Sequence, residues 1–293
     1  MATLRELKGR IGSVSSSKKI TGAMKMISSA KMRKAEQSIR KLLPYRNQIE
    51  TIISNLLSAD AEFSSPLIEA REVNTVAIAV LGSDSGLCGA YNVNIFKQLL
   101  AHMDGLRQTL GHDVKFVLYP IGAKQVKACN KIAGGNISVV LREGLDSKSA
   151  AEEVKVFVEE LRNGYVDGTF DRVDVLYMGF VSMSRQRMRA DRFLPVTPDA
   201  FGKDAGAASA RPYIFEPDVN TIFQTVLPLY LLAVMQEVFC ENRASEQAAR
   251  VMAMQTANDN AMKLLEQLQL EYNKLRQQSI TSELLDIVGG QVR

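Results

Sequence analysis

Between Leu229 and Val288, sixty consecutive residues pass without a glycine or a proline. With nothing to break or loosen the backbone ladder, this run is predicted to form one continuous helix. Met254, Ala257, Ala261, Leu264, Leu268 and Leu275 follow 3/4 spacing within it, with Glu271 at one polar seam position. Gly289 and Gly290 mark its end. At 1.5 Å per residue such a helix is about 90 Å long, whereas a domain of about 140 residues is roughly 35–40 Å across. One globular domain cannot cover the whole seam, so the helix needs a second long partner.

The other end of the chain supplies one. From Leu4 to Leu57 the pattern is helical, and Leu4, Leu7, Ile11 and Val14 step by 3, 4 and 3. Beyond them the seam is expected to drift to Ile20, Met24, Ile27 and Ala30. Pro44 is expected to kink or interrupt this helix. Gly9, Gly12 and Gly22 each weaken it by about 1 kcal/mol, or let another surface come close. Two ends of one chain pairing side by side make an antiparallel coiled coil. Even so paired, the helices leave apolar and small-residue surface uncovered, as a rod inserted into something else would.

The first segment is also strongly basic. Residues 1–46 hold twelve Lys and Arg against Glu6 and Glu36, a local net of +10 in a chain whose total is +4. Such a segment suits nucleic acid, an anionic membrane or an acidic protein surface, or is simply a solvated helix face. Tyr45 is the only aromatic residue before Phe63, and no nucleic-acid-binding module is recognisable.

The middle of the chain, about 73–211, alternates in kind. Apolar runs at Val76–Leu81, Val114–Tyr119, Ile137–Leu141 and Val173–Val181 read as strands. Helical stretches fall between them at Val93–Leu110, Ala123–Ile132 and Lys148–Leu161. The repetition predicts βαβ units and a largely parallel, helix-covered, Rossmann-like α/β domain. Residues 195–217, with four prolines, read as an irregular return. Three parts follow: an N-terminal coil helix at 1–57, the α/β domain at 73–211 and a C-terminal coil helix at 212–293. The most apolar run, Val226–Met235, is ten residues long and contains Pro228, too short for a membrane span of about 20. The N-terminus has no apolar core of a secretory signal. Cys88, Cys129 and Cys240 are scattered and odd in number, as in a reducing compartment.

A search for chemistry finds little. His102 and His112 have no cysteine or carboxylate at metal-ligand spacing, and no nucleophile-elbow, zincin or CxxC motif occurs. One loop stands out: Gly82, Ser83, Asp84, Ser85, Gly86, Leu87, Cys88 and Gly89 lie between a predicted strand and a helix. Open α/β sheets bind phosphates at such places. This loop lacks the P-loop lysine and the dinucleotide glycine spacing, so a turn packed against the coil is the competing reading. Cys88 has no base beside it in sequence and reads as a small buried residue.

Three segments together resemble one family. LRELKGRIGSV with KKITGAMKMISSAKMRKA at 4–35 is similar to the N-terminal helix of the gamma subunit of F-type ATP synthase. SDSGLCGAYN at 83–92 resembles that family's central loop. SEQAARVMAMQTANDNA at 245–261 and LQLEYNKLRQQSITSELLDIVGG at 268–290 resemble its C-terminal helix. The resemblance spans nearly the whole chain, in order.

It implies a central rotor stalk. The coil lies inside a ring of three alpha and three beta subunits, and the globular part sits on the membrane c-ring with the epsilon subunit alongside. Proton flow turns the rotor, which drives the three nucleotide sites of the ring through different affinities and regulates the ATPase activity. The resemblance gives the chain no catalytic residue, no cofactor, no nucleic-acid partner, and a membrane association only through the complex. It matches Met24 and Lys25 to the segment facing the catalytic ring, and Arg250 and Gln255 to the beta contact. Gln277, Thr281 and Glu283 match positions higher in the bearing, linked to coupling. Ser83, Asp84, Gly86, Leu87, Cys88 and Gly89 form the family loop, with Ser85 where arginine is common. The end, Gly290 to Arg293, is more polar than the family's usual finish. No cysteine falls between 181 and 211, so the thiol-regulated segment of the chloroplast form is not expected. A motif beginning at the first residues points to a bacterial form on the cytoplasmic face of the inner membrane. Two other readings stay open: an α/β enzyme using the 82–89 loop, and a basic coiled-coil protein that binds nucleic acid.

Overall fold

A computed structural model describes residues 3–57, 64–197 and 215–290. In chain order the elements are α1 (Leu4–Leu57), β1 (Thr75–Leu81), α2 (Tyr91–Leu110), β2 (Lys115–Ile121), α3 (Ala123–Cys129), β3 (Ile137–Val139), α4 (Ala151–Val166), β4 (Arg172–Phe180), β5 (Gln186–Leu194) and α5 (Val219–Gly290). The chain divides into two compact units: α1 as far as Ser29 with α5 from Arg250 on, and Ala30–Ala249.

The larger unit is built on a five-stranded sheet in the order β3-β2-β1-β4-β5. The first four strands are parallel, and β5 pairs antiparallel with β4. Alternate side chains of β1 go to opposite faces. Val76, Ile78 and Val80 join Ile95, Leu99 and Met103 of α2 on one side. Ala77, Ala79 and Leu81 join Phe157 and Leu161 of α4, Ile53 of α1 and Phe223 and Leu231 of α5 on the other. With both faces covered, β1 reads as an unbroken apolar run instead of an alternating one.

Pro120 sits inside β2 at no cost to the ladder. The Phe116 N–H donates toward the β3 side, to the Asn136 carbonyl. Residue 120 has the same parity, and β3 pairing ends at Leu118, so no bond is lost there.

Four sequence expectations need correcting in the larger unit and along α5. β5 falls in a stretch with no predicted strand, because arginines at 187, 189 and 192 hide its pattern; charged side chains are typical of an edge strand. Pro44 does not interrupt α1, and α5 begins at Val219, ahead of Pro228. Packing explains both. Ile39 and Ile49 on either side of Pro44 are buried, as are Leu227 and Leu231 around Pro228. Across from Pro44, the Arg46 guanidinium bonds Glu50 at 2.8 Å and Glu237 of α5 at 2.6 Å. These contacts outweigh the roughly 3 kcal/mol a helical proline costs. α5 also contains one window of mean hydropathy 1.5, apolar enough to cross a membrane by composition, although none was expected. Half of that window is buried, and Leu227, Leu231 and Met235 belong to the core.

The smaller unit is the antiparallel coil of α1 and α5. On α5 the buried and half-buried seam runs Val251, Met254, Asn258, Ala261, Leu265, Leu268, Tyr272 and Leu275, an unbroken 3/4 repeat. Leu264 and Glu271, expected in the seam, are exposed. Asn258 packs where α1 is thinnest: a Cβ on Gly22 would lie 3.6 Å from its Oδ1. Gly9 and Gly12 face open space.

Candidate functional site

The register of α1 decides what the coil presents. From Leu4 its seam continues through Leu7, Ile11, Val14, Lys18, Thr21, Lys25 and Ser28 without drifting. Polar residues therefore fill the inner positions; of the apolar ones expected there, Ile20, Ile27 and Ala30 are turned outward and Met24 is half-buried. Ile20 is 60% exposed, Ile27 55% and Met26 75%. On α5, Leu264 and Leu270 are exposed, and every residue from Arg276 to Val288 except Ser279 lies open. That open stretch includes Ile280, Leu284, Leu285, Ile287 and Val288.

The residues matched by the resemblance differ in their exposure on the coil. Met24 and Lys25 are half-buried. Arg250 is 7% exposed, which rules out a solvated helix charge at that position. Gln255 is half-buried and donates to both carboxylate oxygens of Asp259 at 2.8 Å. Gln277, Thr281 and Glu283 are exposed. The Thr281 hydroxyl donates to the Gln277 carbonyl at 2.9 Å, and Glu283 accepts from Ser279 at 3.3 Å. These three share the open end of α5, within two turns of one another.

In the larger unit the 82–89 loop is held from every side. Ser83 is fully buried; its hydroxyl donates to the Ser85 carbonyl at 2.8 Å and accepts from Asn92 Nδ2 at 2.8 Å. Asn92 Nδ2 also faces Cys88 Sγ at 3.4 Å. Asp84 accepts from the Ala123 N–H at 3.2 Å and from the Ser147 hydroxyl at 2.6 Å. Arg243 of α5 fixes the same corner by donating to the carbonyls of Ser147 and Ser149. Asn242 of α5 donates to the Gly82 carbonyl at 2.9 Å and accepts the Tyr91 hydroxyl at 2.6 Å. Gly122, at φ +92°, leaves room for this: a Cβ there would meet the Ser83 backbone at 2.9 Å.

Outward lie Ser85 and Leu87, the latter 61% exposed and at φ +63°, with Gly86 and Gly89 beside it. The arrangement presents an apolar side chain on a fixed turn, while the thiol of Cys88 is buried at 3% exposure. Asn92 closes the recognised segment. Asn242, Ser147 and Arg243 were not singled out in the sequence, because no local pattern ties them to a loop up to 160 residues away.

His102 and His112 do not meet. His102 Nε2 lies 2.7 Å from Asp174 Oδ2, and Arg172 holds the other oxygen of that buried carboxylate at 2.8 Å. Among the described residues no three His, Cys, Asp or Glu side chains gather as a metal site. Burial pushes the Cys129 thiol up to about 12, and raises that of Cys240.

Coil and sheet thus define the class: a chain whose two ends pair as an antiparallel coil and whose middle folds as a mixed, helix-covered sheet. A family model described as ATP synthase matches residues 3–292. The ATP synthase gamma chain of Phocaeicola vulgatus is 41% identical over 293 residues, covering 99% of each chain. That of Bacteroides thetaiotaomicron is 40% identical and fully covered on both sides. The chain belongs to the ATP synthase gamma-chain family, whose members are subunits of a complex. In fold it is similar to a chain from the rotor of the Euglena gracilis mitochondrial ATP synthase, with a TM-score of 0.59 at 18% identity over 94% of this chain and 98% of that one. A chain from the OSCP/F1/c-ring structure of the same enzyme gives 0.62 at 20% identity, over 99% and 93%.

Proposed function

We propose that the chain is the central rotor stalk of an F-type ATP synthase, non-catalytic in itself. The observation that carries this reading is the set of apolar side chains turned out from the coil, Ile20, Met26 and Ile27, together with the open apolar end of α5. A coil that already has its own seam has no use for that surface unless something surrounds it. A ring of three alpha and three beta subunits does so, and the c-ring and epsilon meet the α/β unit and the lower coil.

The coil acts by asymmetry. Near Leu7 to Ser28 two helices face the ring, while beyond Leu275 α5 is open along its length. Each beta subunit therefore meets a different surface as the coil turns. Moving one nucleotide site from 1:99 to 99:1 takes a differential interaction of about 5.5 kcal/mol, a sum several weak contacts can supply and release each turn. Met24, Lys25, Arg250 and Gln255 serve the lower contacts, and Gln277, Thr281 and Glu283 the bearing. Rotation comes from proton flow through the membrane ring, on the cytoplasmic face of the bacterial inner membrane.

Reconstitution with alpha and beta subunits from the same source tests the reading. The expected product is one complex with one copy of this chain per three beta, with hydrolysis absent from this chain alone. A chain that stays apart from the ring, or hydrolyses nucleotide by itself, overturns it and returns attention to the 82–89 loop.

A further inference from the structure

A cleft beside α4 takes no part in the coil or in the 82–89 loop. It lies between the segment leaving β3 and the outer face of α4, and encloses about 530 Å³. α4 turns Val154, Phe157, Val158 and Leu161 to the core, which leaves Val156 outward and 66% exposed. Leu141 faces it across the cleft and is 52% exposed. Two open aliphatic side chains, with the buried Phe157 also in the lining, make an apolar floor. A solvated helix face does not ordinarily carry such a floor.

The rim sets the charge of what fits. Its carboxylates are Glu143, Glu153 and Glu160, and its one cation is Arg142. Arg142 is already paired with Glu160, which the Tyr119 hydroxyl also bonds. Glu143 and Glu153 are exposed and join no ion pair among the described residues. The unmet demand is therefore positive charge at the lips and apolar surface at the floor. A small polycation would answer the lips and leave Leu141 and Val156 wet.

We propose that this cleft is a docking site for a protein segment of a neighbouring subunit, one bulky apolar side chain flanked by lysine or arginine. The inference rests on the stalk reading, since it needs an assembled neighbour.

Val156→Cys in the full chain tests it, with maleimide labelling mapped by peptide so that Cys88, Cys129 and Cys240 are counted separately. In the complete complex, with c-ring and epsilon present, labelling at 156 is expected to be at least about tenfold slower than in the free chain. Glu143→Lys with Glu153→Lys, both exposed, is expected to restore the free-chain rate at an unchanged melting temperature. Spermine added to the free chain is expected to give no protection. Equal labelling in complex and free chain overturns the inference and leaves the stalk reading standing. Protection that survives the charge reversal, or that spermine alone confers, overturns it too. Failure of the complex to assemble removes the stalk reading and this inference with it.

Discussion

Asn242 ties α5 to the central loop through two bonds that no other side chain replaces: one to the Gly82 carbonyl and one from the Tyr91 hydroxyl. Asn242→Ala strands the Gly82 carbonyl in a site where Asn242 itself is 1% exposed, and leaves the Tyr91 hydroxyl the residue-242 backbone carbonyl at 3.0 Å. A cost of about 3 kcal/mol is expected, read as a fall in melting temperature of roughly 6–12 °C. Tyr91→Phe should cost about 1 kcal/mol, and the double variant less than the sum, because the two side chains share a bond. Additive effects would contradict the shared bond. Glu241 carries a different prediction. Its Oε2 is buried without a hydrogen-bond partner among the described residues, and burial raises its carboxyl above the usual range, partly offset by Arg189 and Arg46 and reinforced by Glu237 and Asp191. The stability of its neutral form is complete below the ordinary value near 4.3 and is lost as pH rises through the higher folded value. Glu241→Gln keeps the neutral shape at every pH. It is expected to melt higher than the parent at pH 8 and level with it at pH 4; equal melting curves at both would refute this. Asn92 was within reach of sequence reading because it sits in the loop segment. Asn242 was not, because its two bonds are made by folding.

At the scale of elements, the coil shows where pattern reading succeeds and where it goes astray. Both long helices follow from their periodicity and, for α5, from its freedom from breakers. The choice of seam does not, because periodicity alone favours the most apolar residue at each step as the inner one. In α1 that rule fails from Lys18 onward: the 3/4 register places Thr21 and Ser28 inside and Ile20 and Ile27 outside. A surface meant for a partner is apolar too, and a single sequence cannot tell one apolar stripe from the other. Proline boundaries mislead for a related reason, since packing around Pro44 and Pro228 overrides local cost. Pro44 is exposed and inside α1. Pro44→Ala restores a helix donor and is expected to stabilise the chain by about 1–3 kcal/mol, measured by denaturant midpoint. A loss of stability would mean the proline shapes the helix for a purpose. β5 was missed because edge strands hide under charge.

For the whole molecule, the outward stripe separates folding from assembly. Met26→Glu and Ile27→Glu replace exposed side chains and should change the free chain's stability by less than about 0.5 kcal/mol. In the reconstituted complex the same changes should lower coupled ATP synthesis severalfold. Met24→Lys, beside them and half-buried, should also impair coupling more than folding. Equal loss of folded protein and of coupling would place these residues in the fold alone. The central claim is that this chain turns within the ring, and rotation can be watched directly. A bead attached through Val166→Cys, an exposed position on α4, in a complex fixed by its beta subunits and supplied with ATP, should turn in one direction, pausing at thirds of a turn. A bead that stays still while the complex hydrolyses ATP would contradict the rotor account.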